Sequence, residues 1–122
     1  LIEIDHLKVS TLYLSREQTY RGRCVIAVDG HVNELYELGE EELELYIKDI
    51  AKAANAIKKA FSPDKINYGA YGDKLPHLHF HLAPKYKEKH NWGAPFDSSP
   101  NPGVTLSEEE YSDMINQIRK YL

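Results

Sequence analysis

Three of the six histidines of this 122-residue chain stand at alternate positions, His77, His79 and His81, with Leu78, Phe80 and Leu82 between them. Alternation at period two belongs to a β-strand, whose successive side chains leave opposite faces of a sheet; a helix repeats at 3.6 residues. The spacing therefore predicts a strand within Leu75 to Pro84, with three imidazoles in one row and an apolar ridge in the core behind them. Neighbouring rings in such a row start roughly 6–7 Å apart. Each needs a hydrogen-bonding partner, and close imidazoles resist becoming a row of imidazoliums. One histidine on a strand is ordinary. Three in strict alternation point to chemistry on that face.

The rest of the composition narrows what that chemistry can be. A chain of 122 residues with 42% hydrophobic and 28% charged residues suits one domain with a real core, spanning 1–122 and closing in a C-terminal tail and helix at 98–122. A formal charge of −4 offers no basic footprint for nucleic acid or a membrane surface, so phosphate recognition must be local. The single cysteine, Cys24, forms neither an intrachain disulfide nor a cysteine-based zinc knuckle. No stretch reads as a secretory leader, and no apolar run approaches about 18 residues, which makes the cytoplasm the default expectation.

Along the chain, residues 1–10 carry Ile2, Ile4 and Leu7, the makings of a short helical turn or a lead-in. Thr11 to Leu14 and Arg23 to Val28 read as two β-strands, the second closing at Asp29-Gly30, and they are expected to pair antiparallel. From Glu40 to Phe61 the period becomes helical, with Leu43, Tyr46, Ile47, Ile50, Ala53, Ala54, Ile57 and Phe61 on one face. Glu40, Glu41 and Glu42 crowd its first turn and Lys58 and Lys59 its last, as the helix dipole favours. Lys65 to Asp73 reads as a strand running into a glycine turn that feeds the histidine strand. That hairpin would hold Asn67 and the turn Gly72-Asp73-Lys74 near the imidazoles. Past Pro84 about twenty irregular residues follow, with Trp92, Pro95 and Phe96 as anchors, a length typical of a lid or binding segment. Ser107-Glu108-Glu109-Glu110 is a capping box opening a last helix with Tyr111, Met114, Ile115, Ile118 and Leu122 on one face. The pattern argues for an α+β domain with a small antiparallel sheet, whose unprotected edge makes a homodimer reasonable.

Two chemistries suit the row. Two imidazoles of a His-x-His strand can bind one zinc or iron, with Asp73, Asp97, His31 and His90 able to join. The outer rings of three, however, start about 13 Å apart, awkward for a closed site. Alternatively one histidine attacks phosphorus or acyl carbon covalently, a second assists the leaving group and the third orients the nucleophile. Phosphoryl or nucleotidyl transfer fits this second arrangement, since it asks for positioning and charge stabilisation.

His77-Leu78-His79-Phe80-His81-Leu82-Ala83 resembles, position for position, the signature of the histidine triad (HIT) superfamily of nucleotide hydrolases and transferases. Gly22 to Ile26 through His31, Glu34-Leu35, Leu38, Asn67, Gly72, Pro84-Lys85-Tyr86 and Trp92-Gly93 extend the resemblance over about 9–97, especially to bacterial HIT proteins labelled dinucleoside polyphosphate hydrolases. The resemblance implies a HIT-like fold: an antiparallel sheet of about five strands with a long helix and a C-terminal helix, extended across a homodimer. It implies attack on a nucleotide α-phosphorus by His79, with His81 bonding the phosphate or leaving group and His77 orienting His79. It places Asn67, Gly72, Asp73 and Lys74 near phosphate. No cofactor is required for the covalent step, although a divalent metal can accompany the nucleotide. The alternative is a nucleotide-binding regulatory module without catalysis.

Three positions depart from the best-known branches. Arg23 stands where those carry a fourth histidine, Asp73 where a glutamine precedes the triad, and Ser15 where Asp or Asn meets the ribose. Arg23 is either a phosphate-binding guanidinium or an exposed strand-start arginine. Lys74 poses the same choice. Trp92 is either a hydrophobic plug for the tail or a stacking partner for a base. His31 and His90 read as surface residues and Cys24 as core.

Overall fold

The computed structural model describes all 122 residues. Five strands, β1 (Ile2–His6), β2 (Ser10–Leu14), β3 (Cys24–Val28), β4 (Lys65–Gly69) and β5 (His79–Lys85), form one antiparallel sheet in the order β1-β2-β3-β5-β4. Helix α1 (Glu40–Phe61) joins β3 to β4, and α2 (Glu108–Arg119) closes the chain. No helix is long and apolar enough to cross a membrane.

The residues that alternate along each strand sort onto two unlike faces. Leu12, Leu14, Cys24, Ile26, Val28 and Leu82 point one way and are fully or nearly fully buried with Tyr46, Ile50, Ala53, Ala54 and Ile57 of α1. Tyr46 is locked there, its hydroxyl donating to the Ile26 carbonyl at 2.8 Å. The complementary set, Thr11, Tyr13, Val25, Ala27, His79 and His81, shares the opposite face, since cross-strand partners project to the same side: Val25 faces His81, and Ala27 faces His79. No helix covers this second face. The irregular segment after β5 reaches over part of it, pinned by Lys85 Nζ donating to Ala94 O, Asp97 N to the Tyr20 hydroxyl and Phe96 N to Asn67 Oδ1.

Several expectations need correcting. The first residues form a strand, because Ile2 and Ile4 alternate with Glu3 and Asp5 and pair with β2 across a bulge. Two isoleucines are too few to separate period two from a helical step, and pairing decides. Ile47 is 47% exposed, off the buried stripe of α1, while Asp49 is buried in it. Asp49 accepts from Lys8 N, Val9 N and Ser10 Oγ, tying the β1–β2 connection to the helix. The third predicted strand stops at Gly69, and β5 begins only at His79, because Leu78 bonds through its main chain to Val28 and Val32. In the tail Phe96 is the plug, whereas Trp92 stays 42% exposed. The capping box at Ser107 forms as predicted, the Ser107 hydroxyl accepting from Glu110 N.

Candidate active site

The imidazoles line a cavity of about 680 Å³ on the uncovered face, together with Arg23, Ser15 and Asp29 and with apolar lining from Tyr13, Val25 and Ala27. Strand β5 carries His79 and His81, while His77, expected on the same strand, lies in the bend ahead of it; each ring's protonation follows from what its nitrogens meet. His79 Nδ1 lies 2.7 Å from the carbonyl oxygen of His77. A carbonyl only accepts, so the proton sits on Nδ1 and the lone pair of His79 is on Nε2. His77 Nε2 likewise donates to the Val28 carbonyl. The group of His77 that touches His79 is thus its main-chain carbonyl, while its ring is anchored to β3.

His81 is set differently. Its ring centroid lies 5.2 Å from that of His79, 5.9 Å from Tyr71 and 5.7 Å from Phe96. Its Nδ1 faces Nη2 of Arg23 at 3.4 Å. A guanidinium is donor only, so Nδ1 carries the lone pair and the His81 proton is on Nε2. Burial, then the Arg23 charge, then His79 hold its pKa down at about 4. At neutral pH His81 is an uncharged donor beside the His79 ring.

Arg23 is 4% exposed, so it is not the exposed strand-start arginine that remained an option from sequence. Asn67 shares the histidine face opposite Ala83, and its side chain holds Phe96. With Trp92 it lines a neighbouring cleft of about 550 Å³ instead of the histidine cavity. Gly72, in the left-handed region at φ 101°, lines a small pocket of about 100 Å³ with His77 and His79. Asp73 and Lys74 are exposed and outside the histidine cavity. His31 is also exposed but stacks edge-on against His77 at 6.5 Å. No group of three or more His, Cys, Asp or Glu side chains is arranged to hold a metal ion.

Sequence reasoning missed Glu17, Asp29 and Tyr71. Glu17 sits in a polar cluster that reads as a turn, and Asp29 in a tight-turn dipeptide; only the fold brings Asp29 to the cavity and Glu17 to Arg23. For Tyr71 a signal existed in Gly69. A Cβ there would come within 2.8 Å of the Tyr71 hydroxyl and 2.9 Å of Phe96 Cε1. Gly69→Ala is therefore expected to push these rings off His81 and lower kcat/KM by about 10- to 100-fold in a folded protein, because small misplacements of reacting groups are costly. Unchanged kinetics would show that the two rings do not set His81.

Comparison with known proteins adds the family. A HIT domain family model matches residues 6–88, most of the chain, and the chain belongs to the HIT family. It is 26% identical over 87 residues to Protein hit of Bacillus subtilis, covering 67% of this chain but 60% of that protein. The match thus spans less than two thirds of that relative. It is 23% identical to the adenosine 5'-monophosphoramidase of Schizosaccharomyces pombe, over 96% of this chain and 85% of the relative. Its fold superimposes on a crystal structure of a histidine triad protein from Sinorhizobium meliloti with a TM-score of 0.91, at 23% identity over 99% of this chain and 89% of that one. A histidine triad protein from Bradyrhizobium japonicum gives 0.90 at 21% identity, over 98% and 89%. The five-stranded antiparallel sheet with two helices is the HIT fold.

Proposed function

We propose that this protein is a HIT-type nucleotide hydrolase or transferase that cleaves a phosphoanhydride or phosphoramidate at the α-phosphate through a covalent nucleotidyl-His79. The observation that carries the reading is the tautomer of His79. With Nδ1–H held by the His77 carbonyl, Nε2 has a free lone pair in a cavity that also holds a neutral donor in His81. Tyr13, Val25 and Ala27 offer apolar surface suited to a nucleoside. Membership of the HIT family and the named activity of the fission-yeast relative point the same way.

In the first step Nε2 of His79 bonds to the α-phosphorus, and the bond from phosphorus to the leaving group breaks with its electron pair going to that group. His81 Nε2–H bonds the phosphate oxygen on which charge builds. In the second step water attacks phosphorus, the pair returns to Nε2, one proton passes to solvent, and the nucleoside monophosphate leaves. Asn67, Gly72, Asp73, Lys74, Ser15 and Trp92 are proposed as substrate contacts at the margins of this site. A divalent cation, where present, arrives with the nucleotide.

The test is intact-protein mass after rapid, acid-free quenching with dinucleoside polyphosphates and nucleoside phosphoramidates, wild type beside His79→Ala. A nucleotidyl adduct on the wild type alone is expected. A folded protein that binds nucleotide yet gives neither adduct nor turnover with any of them is instead a regulatory binding module. We further propose a homodimer, because β1 and β4 are the edge strands of the sheet. Sedimentation is expected to give twice the mass of one chain; a strict monomer at micromolar concentration refutes it.

A further inference from the structure

Arg23 is the most heavily constrained charged residue of the cavity, and its constraints do not suit direct contact with a phosphate. Its side chain is 5% exposed. Nη2 donates to the Ser98 carbonyl at 3.0 Å and faces His81 Nδ1 at 3.4 Å. The guanidinium lies over the Phe96 ring, with its carbon 5.3 Å from the centroid. Nη1 stands 3.6 Å from Glu17 Oε1, and Nη1, Nε and Glu17 Oε1 are buried without a hydrogen bond. Glu17 cannot swing away, since its other oxygen accepts from Thr19 N, Thr19 Oγ1 and Val104 N. A carboxylate fixed by three donors thus holds a guanidinium against one nitrogen of His81.

We propose that Glu17 and Arg23 are positioning residues that keep His81 a neutral Nε2–H donor, and thereby select substrates whose leaving group departs without taking a proton, phosphoanhydrides over phosphoramidates. The selectivity rests on the reaction proposed above; the state of His81 does not. With Nδ1 occupied by a permanent donor, His81 can share its one proton with an oxyanion but not surrender it, because that would leave an imidazolate. A phosphoanhydride tolerates this. The bridging P–O bond breaks, the oxygen keeps the pair, and a phosphate anion leaves. In a phosphoramidate the nitrogen takes the pair and must also gain a proton to depart as an amine. An imidazolium at position 81 could supply that proton, and Arg23 opposes its formation through like-charge repulsion.

The groups facing His81 and Arg23 support the assignment. Around His81 stand His79 on the same strand, Arg23 from the residue before β3 and Tyr71 from the β4–β5 connection. Around Arg23 stand Glu17, Tyr20, Asp97 and Tyr71, which favour its charge, against burial, the largest influence, which disfavours it. His90 lies 3.9 Å from Asp97. Arg23 is the fixed positive charge beside His81, 3.4 Å from its Nδ1, and after burial it is the next influence holding the ring neutral.

Long-range imidazole nitrogen–proton NMR across pH reads the tautomer and titration of His81 directly, without substrate. In the wild type His81 is expected as the Nε2–H form with a midpoint near 4. In Arg23→Met, with the fold verified in the same spectra, the midpoint should rise by about one to two pH units. It should stay short of the ordinary imidazole range because burial persists. Arg23→Lys, which keeps a charge and a donor, should restore the low midpoint. Glu17→Gln should shift His81 in the wild-type background and add nothing in Arg23→Met. A wild-type His81 protonated on Nδ1, or a midpoint indifferent to Arg23, overturns the positioning role. Comparing kcat/KM for a dinucleoside polyphosphate and a phosphoramidate, Arg23→Met should move the ratio about 10- to 100-fold towards the amidate, most strongly at acid pH. An unmoved ratio overturns the selectivity. Absence of turnover with both substrates, beside the expected spectra, refutes the proposed reaction and leaves the assignment of His81 standing.

Discussion

His79→Ala is expected to lower turnover by about four orders of magnitude or more while nucleotide affinity stays within a few-fold. The asymmetry follows from where the ring sits. Its Nδ1 is spent on the His77 carbonyl, and its Nε2 keeps an unshared lone pair in the cavity beside a neutral donor. Removing it deletes the atom that the proposed reaction joins to phosphorus. The apolar surfaces of Tyr13, Val25 and Ala27, proposed to take the nucleoside, and the His81 donor remain. Neither neighbour can substitute: His81 Nδ1 is turned to Arg23, and the ring of His77 is anchored to Val28. Quenched single-turnover assays beside equilibrium binding separate the two quantities. Turnover within ten-fold of wild type would place the nucleophile elsewhere.

The second large effect lies far from the chemistry. Asp49→Ala is expected to cost about 3–4 kcal/mol of stability, since each buried donor left unpaired costs about 1–3 kcal/mol and water relieves only part of that. Asp49 is 3% exposed and satisfies two main-chain N–H groups and the Ser10 hydroxyl at 2.7 to 3.2 Å. Those donors belong to the turn between β1 and β2, so the loss also loosens the edge strand. Asp49→Asn, which retains one acceptor oxygen, should cost about half as much. Against a typical domain stability of about 5–15 kcal/mol the alanine variant remains measurable by urea unfolding. A cost below about 1 kcal/mol would mean that solvent replaces the carboxylate without penalty.

Both effects separate what alternation and periodicity can foretell from what they cannot. The histidine strand, the limits of α1 and the capping box of α2 are local patterns, and each repeats one physical rule over enough residues to be unambiguous. Ile2 and Ile4 repeat theirs too briefly. Asp49 lies among helix positions and looks solvent-facing, because nothing near it in sequence announces the turn it satisfies forty residues earlier. Trp92 and Phe96 are equivalent as hydrophobic anchors on paper; Tyr20, Asn67 and Ala83 accept only the latter.

The sequence by itself determined that His79 and His81 would share one face of a strand in an α+β domain of HIT type, because side-chain direction on a strand depends only on parity; His77 lies just ahead of that strand and joins the cavity through the fold. Tertiary structure decided which nitrogen of each imidazole carries the proton. That depends on single acceptors and donors, the carbonyls of His77 and Val28 and the guanidinium of Arg23, and two of those three reach the histidines only across the sheet. It also decided that Arg23, 58 residues before His81, would be buried against it and held by Glu17. Parity is a property of the chain. A hydrogen bond between distant residues is a property of the packed sheet.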